Sequence, residues 1–366
     1  MKPLSSLIEL QRGHDLPSRE RTEGAVPIIG SFGVTGWHDV ARYAGPGVAI
    51  GRSGASIGRA TYVKQAYWPL NTCLFVRDFK GNDPRWVYWM LRNADFAAYN
   101  SGSAQPSLNR NYLAQMDVRT PSVRQQVLIG EALGALDDKI AVNARVISHG
   151  RELLRAVWAR CADESSRQVR LGDVVTVNPR AVKPDLAEPP YVDMKALPEH
   201  GLLISDAGRR EAKGGARFMH GDTLMARITP CFENGKMAYV DVLGAGEVGY
   251  GSTEFIVFRS LEGVPSAVPY AVVSSAEFRK YAARSMIGTS GRQRVQAKGL
   301  EEYELDWPDE EKLAEFGEFS DALLGRLGAA RDESQRLATT RDELLPLLMS
   351  GKITVKDAEK TVEEVV

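Results

Sequence analysis

The chain has 366 residues, with 46 Lys and Arg against 47 Asp and Glu, and three cysteines, Cys73, Cys161 and Cys231, that lie far apart with no CxxC pair. That length suits two domains with cores of their own, and the cysteine spacing excludes a zinc knot or a disulfide framework and fits a reducing cytoplasm. No apolar run approaches the roughly 18 residues that cross a bilayer, and the opening MKPLSSLIEL has no long apolar stretch, so neither a signal peptide nor membrane attachment is expected.

A net charge of −1 runs against a nucleic-acid partner at first sight, because such proteins usually carry a basic surplus. The distribution softens the objection. Residues 1–121 hold 14 basic against 9 acidic side chains, whereas residues 309–366 hold 8 against 14. The two stretches between, 122–166 and 167–308, are balanced. Within 270–298 six basic residues (Arg279, Lys280, Arg284, Arg292, Arg294, Lys298) meet one acidic residue, Glu277. Such a strip is either a solvated face or a binding surface.

Along the chain, the first half opens with short strands and turns. Val48-Ala49-Ile50 and Leu74-Phe75-Val76 read as strands bounded by Gly and Pro. A short helix over 84–99 follows, then a polar loop over 101–110, then a long helix entered at Pro121. The second half repeats this plan. Residues 223–226 and 255–258 read as strands, 269–281 as the short helix, 288–296 as the polar loop, and Pro308 opens a second long helix. Proline suits the first helical position, where its missing N–H had no partner anyway. Asp309, Glu310 and Glu311 add negative charge at the positive end of the helix dipole.

The halves align residue by residue. Leu4 to Ile8 match Leu171 to Val175 at an offset of 167. Gly58, Tyr62 and Val63 match Gly235, Tyr239 and Val240 at 177, and Leu74 to Arg77 match Ile256 to Arg259 at 182. Leu113, Val118 and Pro121 match Leu300, Leu305 and Pro308 at 187. One match is noise; an ordered series whose offset moves in small steps is a duplication with loop insertions.

In the first long helix Ile129, Leu133, Leu136, Ile140, Asn143, Ile147, Gly150, Leu154 and Val157 recur at alternating spacings of four and three, the seam of a coiled coil. Phe316, Ser320, Leu323, Leu327, Ala330, Ser334 and Leu337 keep that register in the second. A helix from 122 to about 158 would be roughly 55 Å long, more than one small domain can bury. The economical arrangement packs the two helices on each other; the alternative folds each back on its own domain.

Several enzyme signatures are missing: a Walker loop, an HExxH pair and the Asn-Pro-Pro-aromatic run of amino-methyltransferases. His14, His38, His149, His200 and His220 are scattered, and Asp185 with Glu188 has no nuclease-type lysine downstream. No catalytic centre and no bound cofactor or metal are expected. An enzyme built on another motif stays open.

The polar loops carry base-reading chemistry. The first holds Ser103, Gln105, Ser107, Asn109 and Arg110; the second holds Ser290, Arg292, Gln293, Arg294 and Gln296. Arg can grip the O6/N7 edge of guanine with two hydrogen bonds, and Gln or Asn can do the same to adenine, while hydroxyls typically hold phosphates. An ordinary surface loop is the bland reading, but recurrence before the same helix in both halves favours recognition. A second set comprises Ser31, Phe32 and Trp37 in a glycine-rich loop, with Arg52, Ser53 and Arg59, and in the second half Arg227, Thr229 and Lys236, just after a strand. Glycine lets a ligand approach the backbone; the aromatics could contact bases or simply pack.

These features resemble the specificity (S) subunits of type I restriction-modification enzymes over essentially the whole chain. The matching runs are Gly51-Arg52-Ser53-Gly54-Ala55-Ser56-Ile57-Gly58, Pro69-Leu70-Asn71-Thr72, and Ser107-Leu108-Asn109 ahead of Pro121-Ser122-Val123-Arg124-Gln125-Gln126. Leu224 to Cys231 with Asn234-Gly235-Lys236, and the closing Leu344 to Ile353, complete the set. The second half departs by lacking Pro-Leu-Asn-Thr, with Ser252-Thr253-Glu254 near that place. The resemblance implies an α+β fold: two tandem mixed α/β target-recognition domains, each followed by a long helix, the helices packing as an antiparallel coiled coil. The expected boundaries are domain 1 over 1–121, helix 1 over 122–166, domain 2 over 167–308, helix 2 over 309–350 and a tail over 351–366. It further implies that each domain reads half of a split site in double-stranded DNA, with the helices as a ruler. Two methyltransferase (M) subunits carrying S-adenosylmethionine and motor-nuclease (R) subunits would be the partners. The rival readings are a repeat-built protein-interaction scaffold, which would show no salt-dependent DNA affinity, and a DNA-modifying enzyme active without partners.

Overall fold

The computed structural model describes residues 1–99, 107–163, 167–180, 186–199, 201–211, 214–289 and 291–364. The chain divides into two compact units, Met1–Ile140 with Gln335–Val366, and Ala141–Ser334. Each unit therefore takes part of both long helices, which differs from the linear partition expected from the sequence.

In unit 1, β1 (Lys2–Pro3), helix α1 (Leu4–Leu7), β2 (Glu9–Arg12), β3 (Val26–Gly30), β4 (Gly33–His38), β5 (Gly47–Gly51), β6 (Ala60–Val63), β7 (Trp68–Pro69) and β8 (Cys73–Asp78) precede helix α2 (Pro84–Asn93). The one-turn helix α3 (Arg110–Leu113) and β9 (Asp117–Val118) then lead into α4 (Val123–Asp163). All five residues of β5 are buried, which is why this run is apolar or small throughout rather than alternating. It lies inside an antiparallel sheet of order β2-β8-β5-β6. A second sheet, β4-β3-β7, joins β3 and β7 in parallel. Helix α2 begins at Pro84, with the Asp83 carboxylate accepting the Trp86 N–H at 2.8 Å, and buries Trp86, Trp89 and Leu91 against Val48, Ile50, Leu74 and Val76.

Unit 2 repeats the plan. Strands β10 (Gln168–Arg170), β11 (Val175–Val177), β12 (Pro190–Val192), β13 (Gly208–Arg209), β14 (Ala216–Met219), β15 (Thr223–Ala226), β16 (Met237–Tyr239), β17 (Val248–Gly251) and β18 (Phe255–Ser260) precede α5 (Val268–Val273) and α6 (Ala276–Ala283). Then β19 (Glu304–Asp306) leads into α7 (Glu310–Ser350). The antiparallel sheet β11-β18-β15-β16 has the strand order of β2-β8-β5-β6, and the parallel pair β12·β17 answers β3·β7. The register agrees as well: Val48 faces Tyr62 as Thr223 faces Tyr239. The smaller sheet gains one strand, β14.

The long helices run antiparallel in both units. In unit 1, Ile129 and Leu133 share a core with Leu344, Leu345 and Leu348, and Arg341 pairs with Asp137. In unit 2, the Trp158 and Phe316 rings lie 5.0 Å apart. Gly150 leaves room for Leu327, whose Cδ1 would stand 2.5 Å from an added Cβ. Buried Asn143 donates to the Ala330 carbonyl at 3.2 Å and to Glu333 at 2.7 Å, so the polar seam position is satisfied. Leu136 and Leu337 are buried, Ile140, Ile147 and Leu323 half-buried, and Leu324 is buried more deeply than Leu323.

Four expectations are corrected. The 84–99 helix stops at Asn93, because Ala94 takes an extended backbone conformation. The prolines precede the long helices by two residues instead of starting them; Ser122 and Asp309 cap instead, Asp309 accepting the Lys312 N–H at 2.9 Å. The 269–281 helix is two helices, because Ser275 turns its hydroxyl onto the Phe278 N–H and caps a new one. The expected tail holds helix α8 (Val355–Glu363), entered through a Thr354–Asp357 capping box and burying Ala358.

Candidate nucleic-acid interface

In unit 1 the chain leaves the central strand at Gly51, and three distant segments meet there. The Arg52 N–H donates to the Thr72 carbonyl at 3.4 Å, and the Arg52 carbonyl accepts the Leu108 N–H at 2.8 Å. Ser53 and Ser107 face each other as an antiparallel bridge. A Cβ on Gly51 would stand 2.1 Å from the Ser56 carbonyl oxygen and 2.6 Å from that of Ser31. The glycine therefore brings the Ser31 loop onto the Arg52 turn. Phe32, at the β3–β4 tip, is 54% exposed and lies beneath the Arg59 guanidinium at 5.5 Å; Trp37 on β4 is 53% exposed. Asn109 spends its Oδ1 capping α3, accepting the Asn111 N–H at 2.9 Å.

An open cleft of about 680 Å³ runs along this seam. Arg52, Ser107, Asn109 and Arg110 line one wall, and Gln11, Arg12, His14 and Asp15 the other. The second wall escaped the sequence reading. Its signal was a strand end, Gln11-Arg12, followed by Gly13, where an added Cβ would stand 2.0 Å from the Leu70 carbonyl oxygen. His14 is held by the Tyr43 hydroxyl at 3.0 Å. Burial, and then the Arg42 charge, pull its pKa below the ordinary imidazole value, with Asp15 opposing. Asp15 accepts a hydrogen bond from the Asn71 amide. Three guanidinium groups thus share the cleft with one occupied carboxylate.

Unit 2 reproduces the frame bond for bond. The Arg227 N–H donates to the Glu254 carbonyl at 2.9 Å, the Arg227 carbonyl accepts the Val295 N–H at 2.9 Å, and Ile228 bridges Arg294. Arg227 stands where Arg52 does, Glu254 where Thr72 does, and Arg294 where Ser107 does. Arg294 is side-on to the Glu254 carboxylate, with Nη2 at 2.8 Å and Nε at 3.0 Å. These hydrogen bonds raise the Arg294 pKa above the ordinary arginine value.

Two of the expected contacts are turned to structural use. Thr229 is buried, and its hydroxyl accepts the Gln293 N–H at 3.1 Å, locking the loop to the turn. Lys236 is half-buried and donates to the Met194 carbonyl at 3.1 Å. Gln296 donates its amide to the Arg294 carbonyl at 2.9 Å, and Arg292 is exposed. Ser103, Gln105 and Ser290 lie outside the described residues. Among the described residues no helix is long and apolar enough to cross a membrane.

The fold and site define a duplicated α+β protein, two copies of one scaffold presenting different side chains on one backbone frame. Residues 3–149 match the family model described as the type I restriction modification DNA specificity domain. The chain is 28% identical over 204 residues to the type I restriction enzyme EcoEI specificity subunit of Escherichia coli, covering 53% of this chain and 34% of that protein. It is 26% identical over 141 residues to the EcoprrI specificity subunit of the same species, covering 37% and 35%. The matches thus span about a third of these curated relatives. A crystal structure of a type I restriction-modification system S subunit from M. genitalium shares the fold, with a TM-score of 0.61 over 95% of each chain at 15% identity. Residues 3–149 thus resemble that specificity domain in sequence, and over the whole chain the likeness to the M. genitalium structure is one of fold.

Proposed function

We propose that this chain gives a type I restriction-modification complex its sequence specificity, each unit reading one half of a bipartite, asymmetric site in double-stranded DNA. The observation that carries the reading is the seam found in both units, where one hydrogen-bonded frame presents arginine, amide and hydroxyl groups of base-reading chemistry. The long helices, 41 residues each, would set the spacing of the half-sites, which must follow the roughly 34–36 Å pitch of the duplex. In this reading the chain supplies specificity and its partners the chemistry. Two methyltransferase subunits, using S-adenosylmethionine, would methylate adenine, and motor-nuclease subunits would cut unmodified DNA. The arginines of the unit 1 cleft suit the phosphate part of such an interface.

Adenine-methylation mapping of genomic DNA, with and without the gene in cells that hold the methyltransferase, tests this. A split motif that appears only with the gene is the expected result. No difference, with a methyltransferase still bound by the purified chain, would leave a scaffold without DNA specificity.

A further inference from the structure

We infer that Arg294 reads a guanine in the half-site of unit 2 and that Glu254 is its positioning residue. The inference rests on the DNA-specificity reading and narrows it to one base. The Glu254 carboxylate takes the Nε and Nη2 edge of Arg294, with contacts of 3.0 Å from Nε to each oxygen and 2.8 Å from Nη2. Two side-on hydrogen bonds fix the plane of a guanidinium group, which a single contact would leave free to rotate. The Nη1 edge carries one long contact, 3.5 Å to the Arg292 carbonyl, so donors remain on that side. The backbone is held equally firmly. Arg294 and Ile287 exchange both N–H···O bonds, at 2.9 and 3.1 Å.

Arg259 makes an equally side-on pair with buried Asp222, so it is exposure on the seam that sets Arg294 apart. Its side chain is 42% exposed while that of Glu254 is 23% exposed, so the pair presents the arginine outward with the carboxylate behind it. Guanine offers two adjacent acceptors, O6 and N7, in the major groove, and a fork of donors matches them; adenine puts an N6 donor in that place. A carboxylate behind the fork also keeps the pair from acting as a net positive phosphate clamp. In unit 1 the same positions hold Ser107 and Thr72, so its half-site lacks this determinant.

The test uses the chain purified from its own cells with the subunits that accompany it, and a randomised duplex DNA pool. The wild type is expected to enrich a motif with an invariant guanine in one half. Arg294→Ala and Arg294→Lys should both lose preference at that position, on the order of tenfold or more, and leave the other half unchanged. Lysine keeps the charge but not the fork. Glu254→Gln should relax the same position partially and, with the arginine charge no longer masked, strengthen binding to non-specific DNA. Uniform loss on every sequence, with the guanine preference intact, would make Arg294 a phosphate contact or a structural ion pair and overturn the inference. A wild type that selects no motif would overturn the specificity reading together with it.

Discussion

The two units share a backbone and differ in what they hang on it. At the seam, unit 1 has Thr72 and Ser107 where unit 2 has Glu254 and Arg294. One place is neutral and hydroxylic; the other is a pre-oriented ion pair. The main-chain bonds around them are the same, so the frame tolerates the exchange. This separation of scaffold from site lets one fold carry two different sets of side chains at the same place. The same contrast recurs on the neighbouring strand. Arg259 of β18 meets Asp222 side-on, with both contacts at 2.7 Å, and the Asp222 side chain is only 1% exposed. Its counterpart Arg77 of β8 meets Glu9 in the open, at 3.3 Å.

The largest expected effect follows from that second pair. Asp222→Ala leaves a guanidinium uncompensated and also removes the acceptor for the Met219 N–H, so it should destabilise by about 3–5 kcal/mol. Glu9→Ala breaks an exposed pair and should cost less than about 1 kcal/mol. Urea unfolding of both variants checks the ratio; equal losses would mean that burial does not separate the two units here.

Gly51→Ala comes next. The register places Gly51 opposite Cys73 as Ala226 is opposite Phe255, so unit 2 already has a Cβ at this place. In unit 1 the Ser56 and Ser31 carbonyls occupy that space. A loss of about 1–3 kcal/mol is expected, with weakened DNA binding because the Ser31 loop and the Arg52 turn are pushed apart. Unchanged melting and binding would show that the tighter turn of unit 1 is not tied to its glycine.

The smallest effect concerns two carboxylates. The hydrogen bond from Lys64, opposed by some burial and reinforced by Arg85, holds Asp138 of unit 1 below the ordinary carboxylate range. Burial outweighs Arg331 and pushes Asp241 of unit 2 above it. The signs are opposite. Asp138 contributes stability above its unfolded pKa, near 4, that is lost as pH falls through its depressed folded value. The stability tied to Asp241 is fully present below that unfolded pKa and is lost as pH rises through its raised value. Carboxyl resonances followed by NMR between pH 2 and 6 should titrate in that order. Asp241 titrating first from the acid side would break the contrast.

Much of the fold could be read in advance. β5 and β8 announce themselves as short apolar runs between turn residues, and the long helices by a repeat that alternates four and three. The duplication was visible because core positions at Leu74, Phe75 and Val76 constrain their counterparts at Ile256, Val257 and Phe258 alike. The break at Ser274 and Ser275 was hidden because apolar periodicity continues across it while a hydroxyl cap ends the helix locally. Helix α8 was hidden because nine residues carry little periodic signal, although Thr354 and Asp357 marked its start.

The candidate interface divides along the same physical line. Sequence by itself determined which segments repeat, where the helices run and which loops hold base-reading side chains, because local periodicity and turn chemistry depend on near neighbours. Tertiary structure decided which of those side chains are spent. Thr229 went to Gln293, Lys236 to Met194 and Asn109 to its own helix cap, while Gln11 and Arg12 were brought into the cleft from a strand nearly a hundred residues upstream of Ser107. Arg294 was aimed by Glu254, forty residues away in the chain. A hydrogen-bonding group is committed by whatever partner the fold brings within hydrogen-bonding distance, and only the packed chain decides that.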